Sequence, residues 1–220
     1  MKAMILAAGR GQRMGELTNV TPKPLTKISD ITLIEHNILR IKNSGIKEIV
    51  INVSWLGQQI IDYLGDGKSY GVDLIFSNEE ENMLGTGGGI LNAIELLGNN
   101  PFWLVNADLY SDYSINLNKK LENNDLAHLI LVDNPKHHKA GDYFLKNNRV
   151  IHGKGIKPFT YSGMSLISPK LFENCKEKIF PLEPLLNEYA SLNKISGEYF
   201  HGGWTDVGTK ERLESIKLNE

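Results

Sequence analysis

An α/β fold with a mostly parallel central sheet is what this chain predicts, and three observations predict it. Short β-branched or apolar runs alternate with amphipathic stretches, which is the pattern of parallel strands joined by crossover helices. Glycine-rich and acidic motifs fall where those strands should end, the edge at which open α/β sheets bind ligands. The 220 residues, 41% hydrophobic, suit one domain with a substantial core. The expected architecture is Rossmann-like, a three-layer αβα sandwich, spanning 1–220 as a single domain.

The elements follow in order. Strands are expected at residues 2–7, 48–53, 72–77, 102–105 and 126–132. A helix is expected at residues 34–43, where Ile34, Ile38 and Ile41 recur at helical spacing and Gly45 stops the run. Residues 57–64 and 88–97 read likewise. After Asn134 the pieces shorten, with turn residues between them. Residues 143–146, 149–152 and 160–168 then suggest an antiparallel extension covering one end of the sheet. Residues 182–192 read as a helix, 195–200 as a strand and 210–218 as a closing helix.

Composition narrows the partners. A net charge of −2 without long runs argues against nucleic acid or an anionic membrane. The single cysteine, Cys175, excludes an internal disulfide and fits a reducing cytosol. No apolar run has the length of a membrane span, so a cytoplasmic protein is expected, monomeric or a small homo-oligomer.

The chemistry starts at the first loop. Gly9-Arg10-Gly11-Gln12-Arg13-Met14 follows the first strand, and Thr21-Pro22-Lys23-Pro24-Leu25 comes soon after. Glycines without Cβ atoms let backbone approach a phosphate, while Arg13 and Lys23 supply the cations that a polyphosphate needs. Met14 stands where the dinucleotide fingerprint needs its third glycine, and the spacing is not that of a P-loop. Asp108 follows Asn106-Ala107 at the end of the fourth strand, and Asp206 lies in the glycine-rich segment 202–209. Two such carboxylates suit Mg²⁺, which takes one or two from the protein and fills its other sites with phosphate and water. Asp108 equally suits a strand-end turn, and Asp206 a turn leading to a helix capped by Thr209. The run Gly87-Gly88-Gly89 costs a helix about 1 kcal/mol per residue relative to alanine, so either a ligand at its amides or close packing must keep it. Adjacent His137 and His138 suit a loop shielding substrate better than a zinc site. Trp55 and Trp103 read as core, Trp204 as packing beneath Asp206, Cys175 as inert, and residues 79–81 as a solvated acidic turn.

In that order, LAAGRGQRM, PKPL, LGTGGGI, NAD and WTDVGT resemble the sugar-phosphate nucleotidyltransferases over nearly the whole chain. These enzymes join a nucleoside triphosphate to a sugar 1-phosphate and release pyrophosphate. The NAD segment, residues 134–144 and residues 159–164 with Phe180-Pro181-Leu182 resemble the N-acetylmuramate 1-phosphate uridylyltransferase subgroup, which serves peptidoglycan recycling. The resemblance implies the nucleotide-diphospho-sugar transferase fold, with a nucleotide-binding part at about 1–110 and a sugar-binding part at about 111–205, and it implies Mg²⁺, UTP and direct attack of the sugar phosphate on the α-phosphorus. It implies that Ala7, Ala8 and Gly9 meet the nucleoside, Gly11 and Arg13 the triphosphate, and Lys23 the phosphate under attack. Gly87 and Gly88 would lie near the base or ribose, Asn106, Asp142, Ser162 and Gly163 at the sugar, and Asp108 and Asp206 on the metal. Arg13, Lys23 and Asp108 form the expected catalytic set. Many relatives have Glu-Lys-Pro where this chain reads Gly155-Ile156-Lys157-Pro158, which makes Asp142 the substitute for the missing glutamate. Relatives of the subgroup often carry a glutamate at the position of Gly85. Larger relatives also carry appended domains, and this chain is expected to be the minimal form. A guanylyl- or cytidylyltransferase acting on mannose or heptose 1-phosphate or on phosphocholine, and a non-catalytic nucleotide-sugar sensor, are the alternatives.

Overall fold

The structure is a computed structural model, and it describes residues 1–79, 83–122 and 124–217. In chain order the strands are β1 Ala3–Leu6, β2 Lys27–Ile28, β3 Ile31–Thr32, β4 Glu48–Val53, β5 Asp73–Asn78, β6 Phe102–Asn106 and β7 Leu109–Ser111. They continue with β8 Ala127–Asp133, β9 Phe144–Lys146, β10 Arg149–Ile151, β11 Phe159–Ile167, β12 Ile195–Tyr199 and β13 Trp204–Asp206. The helices are α1 Leu17–Val20, α2 Leu33–Asn43, α3 Gly57–Leu64, α4 Gly85–Asn92, α5 Ile94–Leu97, α6 Glu183–Ser191 and α7 Lys210–Lys217.

Among the described residues, nine strands form one mixed sheet in the order β5-β4-β1-β6-β11-β8-β12-β10-β9. The run β5-β4-β1-β6 is parallel throughout. Beyond it β11 is antiparallel to both β6 and β8, while β12 runs parallel to β8. The antiparallel pieces expected to cover one end of the sheet therefore continue the sheet instead, and β11 sits inside it between β6 and β8. Strand β11 fits there because it is buried over Ser162–Ile167, as a central strand must be.

Alternation along β1 divides the core between the two faces. Ala3 and Ile5 pack with Ile34, Ile38 and Ile41 of α2 and with Ile60 and Leu64 of α3. Met4 faces the other way, into a cluster with Ile90, Leu97, Leu171 and Leu186. A period-2 strand between two helical layers produces this arrangement, the expected three layers. Helix α2 starts on a reciprocal capping box: Thr32 Oγ1 accepts from the Glu35 amide at 3.3 Å, and Glu35 Oε2 accepts from the Thr32 amide at 2.8 Å.

Two elements depart from expectation. The helix expected over 88–97 begins earlier, at Gly85, and breaks at Ala93, so Gly85 and Gly87 also belong to its first turns. The short strands β7 and β13 pair with each other, Asp206 opposite Leu109, where the sequence shows no alternation long enough to reveal them. Of the segment read as an acidic turn, Glu80 and Glu81 lie outside the described residues, as does Leu218 of the closing helix.

Candidate active site

The chain turns from β1 to β4 and β5 on one side and to β6 on the other, and a cavity of about 630 Å³ opens beyond the carboxyl ends of these four strands. Its walls include Ala7, Ala8, Gly9, Gly11, Arg13, Lys23, Asn106 and Asp108, eight of the residues singled out from the sequence. Gly11 has φ +67°, a left-handed conformation that favours glycine, and a Cβ there would lie 3.0 Å from the Lys23 Cβ. The tight turn thus brings the first loop onto Lys23. Lys23 is buried, and its Nζ lies 2.5 Å from Asp108 Oδ2. A buried ammonium needs such a partner, so the pair fixes a cation and a carboxylate side by side at the cavity wall.

Asp206 does not line the cavity, but the β7–β13 pairing brings it next to Asp108. The Val207 amide donates to the Asp108 carbonyl at 2.8 Å. The Asp206 carboxylate accepts from Arg212 Nη1, 2.5 Å from each oxygen, and lies 3.3 Å from His137 Nε2. Burial holds the His137 pKa below the ordinary imidazole value, and Arg212, His138 and Arg13 push in the same direction against the pull of Asp206. Two carboxylates are a donor set that fits Mg²⁺. Among the described residues no group of three or more His, Cys, Asp or Glu could hold a metal.

Other expected contacts are corrected by their surroundings. The amides of Gly87 and Gly88 donate to the Phe180 carbonyl at 3.0 and 3.1 Å, so they are not offered to a base or ribose. Close packing keeps these glycines: a Cβ at Gly88 would lie 2.2 Å from the Lys178 carbonyl oxygen, and one at Gly87 2.3 Å from the Phe180 ring. The neighbours Gly85 and Thr86 reach the cavity instead. Ser162 is buried beneath the strand, where its Oγ accepts from the Met164 amide at 3.2 Å. Asp142 spends its carboxylate on protein, with His138 Nε2 at 2.7 Å and the Tyr161 amide at 2.8 Å, so it braces the 134–142 loop. Gly163, at φ +81°, sits at the register shift in β11, where a Cβ would meet the Asn106 Nδ2 at 2.7 Å. Its place is behind Asn106, not in the cavity. His137 and His138 serve different carboxylates, Asp206 and Asp142.

Three residues read differently from the sequence. Glu79 is not a solvated turn residue. It is 5% exposed at the cavity wall, accepting from Asn52 Nδ2 at 2.5 Å and from the Leu84 amide at 3.0 Å. Asn52, missed altogether, is the penultimate residue of β4, lines the cavity and accepts from the Ala7 amide at 2.8 Å. An asparagine in an otherwise apolar strand was the available signal. Trp55 is not core but half-buried, with the Arg10 guanidinium 4.3 Å over its ring. Trp103 is fully buried, and Trp204 donates from Nε1 to the Ser162 carbonyl at 2.9 Å.

Comparison with known proteins agrees with this geometry. Residues 2–143 match the nucleotidyl transferase family. The N-acetylmuramate alpha-1-phosphate uridylyltransferase of Neisseria meningitidis serogroup B is 42% identical, over 99% of this chain and 97% of that protein. The mannose-1-phosphate guanyltransferase of Saccharomyces cerevisiae is 29% identical over 94% of this chain and 61% of its own length. A UDP-glucose pyrophosphorylase solved with UDP-glucose shares the fold at a TM-score of 0.79 and 18% identity, covering 99% of this chain and 97% of that one. With its cavity at the switch point of the sheet and full-length similarity of this kind, the chain belongs to the nucleotidyl transferase family.

Proposed function

We propose that the cavity joins UTP to a sugar 1-phosphate, N-acetylmuramate 1-phosphate in preference, to give a UDP-sugar and pyrophosphate in an Mg²⁺-dependent reaction. The observation that carries this reading is the convergence of the Gly9–Arg13 loop, Lys23 and Asp108 on one wall, with Lys23 Nζ held 2.5 Å from Asp108. The choice of uracil and of the muramyl sugar rests on the 42% identity over the full length of both chains.

A sugar phosphate oxygen attacks the α-phosphorus, the new P–O bond forms, and the bond to the β-phosphate oxygen breaks, so that pyrophosphate leaves. No protein nucleophile takes part. Repulsion between two anions, with charge growing on the α-phosphate and leaving group, is the main obstacle. Arg13 and Lys23 supply fixed positive charge against it, while Ala7, Ala8, Gly9 and Gly11 receive the nucleoside triphosphate. Asn106 faces the sugar side. Asp108 and Asp206 would hold Mg²⁺, whose charge neutralises phosphate oxygens.

The test is pyrophosphate release with UTP, dTTP, CTP, GTP and ATP crossed against N-acetylmuramate, N-acetylglucosamine, glucose, mannose and heptose 1-phosphates and phosphocholine. UTP with N-acetylmuramate 1-phosphate is the expected winning pair. GTP with mannose 1-phosphate would move the substrate assignment, and no release from any pair would leave a nucleotide-sugar sensor.

A further inference from the structure

The Asp206 carboxylate already has a cation. Arg212 Nη1 lies 2.5 Å from both of its oxygens, the place where a bidentate metal ion would also sit. The same nitrogen lies 2.8 Å from His137 Nε2, and because a guanidinium only donates, that ring nitrogen accepts. The guanidinium also lies against Gly208, one of the cavity residues. Gly208 lines the cavity, and a Cβ on it would lie 2.2 Å from Arg212 Nη2. The backbone beneath is fixed: Leu213 and Ile216 of α7 are buried with Val207, Met14, Ile28 and Leu33.

We propose that Arg212 is an exchangeable counter-ion, which holds Asp206 before substrates bind and then releases it to the divalent cation and pairs with the phosphate of the sugar 1-phosphate. This inference rests on the assignment of Asp206 as a metal ligand in the preceding subsection. Arg212 Nη1 sits between the two carboxylate oxygens, and an ion bound at 2.0 to 2.1 Å on that same chelating side needs the same lone pairs, so the two exclude each other there. Paired with Asp206, the Arg212 side chain is only 16% exposed, so a guanidinium released in that place would be left without an anion, which is costly. Phosphate fits its planar fork. Cation loading and phosphate capture are coupled in this way.

The test measures Mn²⁺ binding to the free protein by electron paramagnetic resonance, without nucleotide, and steady-state kinetics with UTP and N-acetylmuramate 1-phosphate. Arg212→Met, which removes the competitor for Asp206, should bind Mn²⁺ about tenfold tighter, the size of one charge-assisted hydrogen bond. The same variant should raise KM for the sugar phosphate about tenfold while KM for UTP stays within twofold, and Arg212→Lys should recover part of the loss. Arg212→Gln serves if the methionine variant fails to fold. Mn²⁺ affinity no tighter than wild type, or an unmoved KM for the sugar phosphate, would overturn the exchange. Asp206→Asn separates the two claims. If it keeps wild-type Mn²⁺ affinity, the metal assignment falls and the exchange with it; if it loses affinity while Arg212→Met stays at wild type, only the exchange falls.

Discussion

Lys23→Met separates charge from packing at the centre of the site. The Lys23 stem closes the Gly11 turn, with its Cβ 3.0 Å and its Cδ 3.4 Å from where a Gly11 Cβ would stand, and methionine keeps a stem of similar bulk. The lost ammonium leaves Asp108, whose side chain is 26% exposed, without its ion-pair partner. That exposure moderates the cost, so about 1 to 3 kcal/mol of stability should be lost. At about 2 to 4 °C per kcal/mol for a chain of this size, the melting temperature should fall by roughly 2 to 12 °C. The effect on turnover should be larger. If the ammonium acts as one preorganised donor to the growing phosphate charge, its loss costs about 2.7 to 4 kcal/mol of barrier, or about 10² to 10³ in kcat. Calorimetric titration of UTP and single-turnover pyrophosphate release on one preparation would compare binding with chemistry. Adding Asp108→Asn should restore stability without restoring turnover. Equal losses in UTP affinity and turnover would refute the role assigned to Lys23.

Four further expectations follow from the packing. Gly88→Ala should destabilise by about 1 to 3 kcal/mol in chemical denaturation, because the clash with the Lys178 carbonyl outweighs the helix-propensity gain of about 1 kcal/mol; a more stable variant would contradict this. Gly9→Ala should leave stability unchanged, since a Cβ there meets nothing within 4 Å, yet weaken UTP binding because it projects from the cavity wall. Asn52→Ala strips partners from the Ala7 amide and Glu79, and should cost about 1 to 3 kcal/mol in the same assay; an unchanged midpoint would show that neither group depends on it. Glu198, accepting from His128, Lys119 and Tyr113, has its pKa lowered from 4.5 to about 2. A depressed carboxylate stabilises fully above its unfolded value and loses that contribution as pH falls toward the folded one. Unfolding measured from pH 7 to pH 2 should therefore show stability falling below about 4.5, and Glu198→Gln should flatten that part of the profile.

What could be read from the sequence was what repeats or what stands at a strand end. Apolar periodicity placed β1, β4, β5 and α2, and the position of Asp108 after an apolar run placed it at the cavity. The insertion of β11 between β6 and β8 was not legible, because pairing partners distant in sequence leave no local pattern. Glycine composition was legible but its cause was not. Nothing local tells Gly9, open to the cavity, from Gly88, pressed against a carbonyl. Glu79 was misread because a triple-glutamate run looks solvated until Asn52 and the Leu84 amide arrive from other segments. Arg212 carries no signal of its own in the sequence, since its partner Asp206 is placed by the β7–β13 pairing, two strands of three residues each.

Mg²⁺-dependent release of pyrophosphate from UTP and N-acetylmuramate 1-phosphate, measured for the wild type beside Asp108→Asn and Asp206→Asn, tests the central claim most directly. The expected result is rapid release by the wild type and at least about a 10²-fold loss in each variant, the scale of removing one preorganised electrostatic group. Both variants turning over within tenfold of wild type would contradict the placement of the reaction at this cavity.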